Sequence, residues 1–162
     1  LFLSSADALR ARREEAERLG YAATVADDFG AGEAREVGGS VAARLRDAPA
    51  KTVFLFAGES TVTLLGPHGM GGRNQELALS VLEYLNPDEL ILPFASDGRD
   101  NTDSAGAIAD EVTRGHAFAR NLSIEEYLAG HRAYDFFQTT GDALVTGYTG
   151  SNVSDIIIAM KK

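Results

Sequence analysis

Three stretches of the chain hold side chains whose types and spacing suit the handling of an anion. Ser96–Asp103 (SDGRDNTD) brings Asp97, Asp100 and Asp103 within seven residues. Acids this close repel one another unless a cation or Arg99 relieves them, and Mg²⁺ suits them, since it takes one or two carboxylates and leaves its other positions to water and phosphate oxygens. The spacing is not that of a calcium-binding EF-hand, whose twelfth-position glutamate is here Ile108. The plainer alternative makes these aspartates turn and cap residues, which fits Asp103 before Ser104 better than it fits Asp97.

Gly69–Leu79 (GMGGRNQELAL) runs three glycines into Arg73 and then into an apolar helical repeat. Glycine keeps side chains away and lets backbone N–H groups converge, so a guanidinium fork would meet free donors at the positive end of a helix dipole. A carboxylate or phosphate suits such a place. The alternative is a glycine-rich turn whose arginine pairs with Glu76 or another carboxylate. Thr146–Asn152 (TGYTGSN), followed by Asp155, adds two glycines, the hydroxyls of Thr146, Thr149 and Ser151, and an amide. These small groups can wrap a phosphate or a hydroxyl-rich ligand, or form an ordinary surface loop. No lysine follows the second glycine, so this is no Walker A loop; no G-x-G-x-x-G opens a helix after the first strand, and no serine sits in a G-x-S-x-G elbow. His68, His116 and His131 are too scattered to suggest a metal site and read as surface or cap residues.

Strands must deliver these loops. Leu1–Leu3 reads as a short strand, Ser4-Ser5 as caps for a charged helix to Leu19 closed by Gly20, Tyr21–Ala26 as a second strand, and Ala34, Val37, Gly38, Val41, Ala42 and Leu45 as a helical stripe. Arg10–Glu14, Arg13–Glu17 and Glu14–Arg18, each four apart, read as solvated ion pairs. This β-α-β-α opening predicts parallel strands. TVFLFA at Thr52–Ala57 and ELILPFA at Glu89–Ala95 read as buried central strands. Thr61–Leu65 resumes as a strand after Gly58-Glu59-Ser60, which implies a hairpin or bulge. Ala78, Val81, Leu82 and Leu85 predict a helix from Arg73 to just before Asn86-Pro87. AGAIA after Ser104 and then Glu111–Arg120 read as helix, Ser123 and Glu126 as a capping box, Tyr134, Phe136 and Phe137 as core aromatics, and Ala143–Val145 and Asp155–Met160 as closing strands. The expected fold is a three-layer α/β/α domain over 1–162 around a mixed, mostly parallel sheet.

With 162 residues, 44% of them hydrophobic, the chain can bury one core. Fifteen basic against 24 acidic residues give a net charge of −9, a field that repels nucleic acid and anionic membranes. An anionic ligand therefore needs a local positive focus or a metal ion. The absence of cysteine excludes disulfide and thiolate chemistry and suits the cytoplasm. No run is long enough to span a bilayer. The chain begins at Leu1 rather than Met, which suggests a fragment or a processed product.

Taken in order, AGESTVTL, GMGGRNQELAL, SDGRDNTDSAGAIAD and TGYTGSNVSDIII resemble the C-terminal MOFRL domain of the class II glycerate kinases, a family also named after hydroxypyruvate reductase. The likeness covers about Thr52 to Met160, and GEAREVG at Gly32–Gly38 looks like the stretch just upstream. It divides the chain into a lead-in over 1–48 and a MOFRL-like region over 49–162, and implies that the family's N-terminal Rossmann-like domain, with its important lysine, is missing. The implied activity is transfer of the ATP γ-phosphoryl group to the 2-hydroxyl of D-glycerate, with Mg²⁺, in a cleft between domains.

By the same resemblance, Arg73 would hold the glycerate carboxylate or a phosphoryl oxygen, with Asn74 and Glu76 orienting it. Gly71, Gly72, Thr149, Gly150 and Asn152 would bind substrate and phosphate. Asp97 would bind Mg²⁺ or accept the hydroxyl proton, Asp100 matches the next catalytic acid, and Asp155 matches the acid closing the last motif, an implied second metal ligand. The chain is one residue shorter than the common D-G-x-T-D pattern, and carries Tyr148 where many members have proline and Ser151 where they have threonine. Other readings are an NAD(P)H-dependent hydroxypyruvate reductase and, for the isolated chain, a ligand-binding domain without catalysis. Oligomeric state is open, a homo-oligomer included.

Overall fold

The computed structural model describes residues 4–26 and 32–162; the strand expected at Leu1–Leu3 lies outside them. Helix α1 (Ser5–Arg18) begins where two side chains close a reciprocal cap: Ser4 Oγ accepts the Asp7 N–H at 3.2 Å, and Asp7 Oδ2 accepts the Ser4 N–H at 3.1 Å. It ends before Gly20, whose φ of +85° a side chain would resist. Of the expected ion pairs on this helix Arg13–Glu17 is present, whereas Arg10 turns to Asp7 and Arg18 to Glu15.

Six strands form one sheet in the order β1-β2-β6-β3-β4-β5: β1 (Ala22–Val25), β2 (Thr52–Gly58), β3 (Glu89–Ala95), β4 (Gly106–Ala107), β5 (Ala143–Leu144) and β6 (Asp155–Lys161). Ile156 joins Val53, Leu55 and Leu9 of α1 on one face. Ile157 and Ala159 point the other way, into a core with Phe56, Ile91 and residues of α2 (Ala34–Arg46), α3 (Arg73–Val81) and α6 (Ala133–Thr140). Helices thus cover both faces, as the three-layer α/β expectation required. The stripe on α2 is buried at Ala34, Gly38, Val41, Ala42 and Leu45. A Cβ on Gly38 would lie 2.8 Å from a Val81 methyl, so glycine lets α2 approach the end of α3.

Three expectations need correction. The sheet is mixed, but its pairings are not mostly parallel: among the described strands β1–β2 alone pair in parallel. The cause is β6, which returns from the far end of the chain and wedges antiparallel between β2 and β3. AGAIA is not helical; Gly106 of β4 pairs with Phe94, and a Cβ there would stand 2.0 Å from the Pro93 carbonyl oxygen. Its small residues serve close strand contact, which composition alone does not separate from helix propensity. Thr61–Leu65 forms no strand. Its hydrogen bonds go to the start of α2 instead: the Thr61 N–H donates to the Gly32 carbonyl at 2.9 Å, and the Glu33 carboxylate accepts from the Thr63 N–H at 3.1 Å and the Thr63 hydroxyl at 2.6 Å.

The remaining helices are α4 (Glu111–Ala119) and α5 (Ile124–Ala129), the latter capped by Ser123 Oγ accepting the Glu126 N–H at 3.2 Å. Phe136 and Phe137 are fully buried and meet edge to face at 5.2 Å, while Tyr134 is half-buried.

Candidate active site

The site grows from the register of β6. Asp155 opposes Gly58 on one side and Ala95 on the other, so one carboxylate stands between the C-terminal ends of β2 and β3. Ligands of α/β sheets gather at those ends. Arg73, the first residue of α3, reaches Asp155 with two donors: Nε to Oδ2 at 2.5 Å and an Nη to Oδ1 at 3.2 Å. Its other Nη lies 3.2 Å from Glu59, just past β2. The Asp155 hydrogen bonds hold the guanidinium above its ordinary range, with a smaller pull from Glu59. Arg73 does pair with carboxylates, though with Asp155 and Glu59 and not with Glu76.

Asp100 supplies what Gly72, the N-cap of α3, lacks. Its Oδ1 accepts from the Asn74 backbone N–H at 3.1 Å and the Asn74 amide at 3.2 Å; its Oδ2 accepts from the Gln75 N–H at 2.8 Å and the Gln75 amide at 3.2 Å. The anion at this helix terminus is therefore the protein's own. Burial pushes the Asp100 carboxyl up, and the four hydrogen bonds pull it only part of the way back. Gly72 has to be glycine, since a Cβ there would sit 2.1 Å from the Asp100 carbonyl oxygen.

Glu76, one turn on, is buried and held from α2 by Arg35, at 2.8 Å from Nε and 2.5 Å from an Nη. His131 Nδ1 lies 3.1 Å from the same Oε1.

The Ser96–Gly98 turn is stitched to the last glycine loop. The Thr149 N–H donates to the Asp97 carbonyl at 3.0 Å, the Thr149 hydroxyl to the Ser96 carbonyl at 2.6 Å, and the Val153 N–H to the Ser96 hydroxyl at 2.9 Å. Asp97 Oδ1 accepts the Arg99 N–H at 2.9 Å, an Asx turn that leaves the carboxylate half-exposed and without an ion pair among the described residues.

A cavity of about 430 Å³ opens beside α3, lined by Gly71, Gly72, Arg73, Glu76 and Asp100 of the expected residues. Asn74 lies beneath it, buried, with its amide on Asp100. Asp97, Thr149, Gly150 and Asn152 belong to the adjoining loop junction and not to the lining. Arg99 spans the two, lining the cavity with its guanidinium 6.0 Å from the exposed Tyr148 ring. Of the two acids expected as joint metal ligands, Asp155 is taken up by Arg73 through both its oxygens, which argues against its share in holding an ion.

His68 and His131 also line the cavity and were not expected there. His131 is separated from Glu76 by 55 residues, so no local periodicity links them. Its φ of +48° is the left-handed end of α5, where the His131 N–H donates to the Leu128 carbonyl at 3.1 Å and the Arg132 N–H to the Tyr127 carbonyl at 2.9 Å.

An arginine fork, a capped glycine turn and a second glycine loop thus meet at the strand ends of one α/β sheet. Residues 52–155 match the MOFRL family, and the chain belongs to that family. The glycerate 2-kinase of Pyrococcus horikoshii is 38% identical over 169 residues, covering 99% of this chain and 38% of that protein. Among solved structures, a protein of P. horikoshii superposes with a TM-score of 0.92 at 34% identity, over 98% of this chain and 38% of that one. The glycerate kinase of Thermotoga maritima gives 0.90 at 31% identity, over 98% of this chain and 41% of that one. The chain thus spans about two fifths of the length of the relatives it matches.

Proposed function

We infer that this chain is the C-terminal domain of an ATP-dependent glycerate 2-kinase and supplies one wall of a site completed by a preceding domain of the same polypeptide. The observation that carries the reading is Arg73, charged and pinned at the strand ends over a cavity of about 430 Å³. Asp155 and Glu59 fix the fork, and its remaining donors serve the carboxylate of D-glycerate or an oxygen of the transferring phosphoryl group. Gly71 and Gly72 line the cavity with backbone alone, and Gly72 lets Asp100 close against the start of α3. Thr149, Gly150 and Asn152, held against the Ser96–Gly98 turn, form the phosphate-facing rim.

Of the acids, Asp97 suits magnesium, since the ion needs only one or two carboxylates when phosphate oxygens complete its shell and Asp97 has no cationic partner among the described residues. When bound there, Mg²⁺ would neutralise charge on the β- and γ-phosphates. Asp100 acts as the cap that sets the angle of α3, and Asn74 and Glu76 brace it. The reading places the protein in the cytoplasm, in keeping with its lack of cysteine. Hydride transfer to hydroxypyruvate is not favoured, because the relatives are named as kinases.

Calorimetry and a coupled assay on the full-length protein test the reading. Glycerate and Mg-ATP should both bind and turn over, and Arg73→Lys should lower kcat/KM about 10²-fold by removing the planar fork. Absence of binding by the wild-type protein would sink it.

A further inference from the structure

We propose that His131 accepts the proton of the hydroxyl group undergoing phosphorylation in this cavity, a role that rests on the kinase reading above. The left-handed turn at His131, φ +48°, carries its ring between the cavity and the buried Glu76. That turn closes α5, with the Arg132 N–H on the Tyr127 carbonyl at 2.9 Å. Glu76, with 4% of its side chain exposed, receives Nδ1 at 3.1 Å. A carboxylate at Nδ1 places the proton there, so Nε2 carries the lone pair. The ring is 21% exposed, and with Nδ1 turned to Glu76 the open edge bears Nε2. Arg35 bonds the same Glu76 oxygen at 2.8 Å, so two donors converge on this carboxylate.

The acids otherwise suited to the task are engaged or displaced. Asp100 holds four N–H groups, Asp155 holds Arg73, and Asp97 lies outside the lining. His68 rests Nδ1 on the Gly69 carbonyl in an exposed loop, with no carboxylate partner among the described residues. In the step, the hydroxyl oxygen bonds to the γ-phosphorus while its O–H bond breaks and the proton passes to Nε2. The bond from that phosphorus to the bridging oxygen breaks, and its electron pair leaves with the nucleoside diphosphate. The imidazolium then ion-pairs with Glu76 until it releases the proton to water.

The test uses the full-length protein with glycerate and Mg-ATP. His131→Asn keeps a donor for Glu76 but has no basic nitrogen, and His131→Ala leaves space. For both, kcat should fall about 10²-fold with the KM for glycerate changed by less than about threefold. The acidic limb of the kcat profile should vanish, and imidazole in the buffer should restore part of the His131→Ala turnover. Glu76, Arg35, Arg73, Arg99, Asp100 and His68 also face this region, so the limb is assigned by its loss in the His131 variants. An unchanged denaturation midpoint shows that each variant folds. A His131→Asn enzyme with wild-type kcat and an intact limb overturns the proposal and leaves the kinase reading standing. A wild-type protein unable to phosphorylate glycerate overturns that reading and the His131 role together.

Discussion

Arg73 and Asp155 are 82 residues apart in the chain, yet their side chains meet through two hydrogen bonds where β6 begins and α3 starts. The pair joins the sheet to the glycine turn. Asp155 is almost wholly buried, while about a third of the Arg73 side chain is open to solvent. Asp155→Asn should therefore cost about 1–3 kcal/mol, between the values of exposed and fully buried pairs. Arg73 would lose its buried counter-charge and keep the exposed Glu59 as ion partner, so catalysis should fall as well. Urea denaturation measures the first effect, and an unchanged midpoint would show that the pair does not tie the two elements.

Asp100 predicts a pH dependence of stability. Its carboxyl is raised chiefly by burial, so the folded protein binds that proton more readily than the unfolded chain. A raised acid adds stability as pH falls through its folded value toward the unfolded one, and loses that contribution as pH rises. Asp100→Asn abolishes the titration and turns an amide toward the donors of Asn74 and Gln75, at a cost of about 1–3 kcal/mol. The wild-type advantage over the variant should thus vary with pH across the acidic range. Parallel denaturation curves giving a constant difference would contradict the burial argument.

Much of this arrangement was legible in the sequence because it is local. The glycines before Arg73, the stripe on α2 and the continuous apolar runs of β2 and β3 each reflect a backbone or burial requirement met within a dozen residues. What escaped was set by partners remote in the chain. Asp100 reads as one of three clustered acids until the N-terminus of α3 folds onto it, and His131 reads as a surface or cap residue, with no sign of the Glu76 that lies behind it. The segment after Gly58 has strand-like residues, yet Glu33 captures its hydrogen bonds. The order of the strands depends on where β6 inserts, and nothing near Asp155 in sequence announces that.

Glu33 tethers the loop that leads to His68. Hydrogen bonds from the Thr63 hydroxyl and N–H, with a further one from Thr61, hold its carboxyl below the usual range. A depressed acid gives this tether above its unfolded value and loses it as pH falls through the folded one. Glu33→Ala should speed amide exchange at Thr63 and along 64–69 while leaving the sheet protected. Hydrogen exchange read by mass spectrometry decides this, and unaltered protection at Thr63 would assign the anchoring to the backbone bridge at Thr61 instead.

Gly98 is where the two outer loops touch. Its φ is +89°, and a Cβ there would stand 1.9 Å from the Gly147 carbonyl oxygen and 2.8 Å from the Thr146 hydroxyl. Gly98→Ala thus meets strain and collision together, and only a shift of the TGYTGSN loop relieves the second. The Thr149 hydrogen bonds to Ser96 and Asp97 would then break, since both depend on that close approach. The strain alone should destabilise the protein by about 1–3 kcal/mol. Because the cavity beside Arg73 is lined by other residues than the junction, glycerate binding should survive while the KM for ATP rises. Separate titrations of the full-length variant with each substrate read the two effects, and an equal loss for both would show that the loop junction serves glycerate as much as ATP.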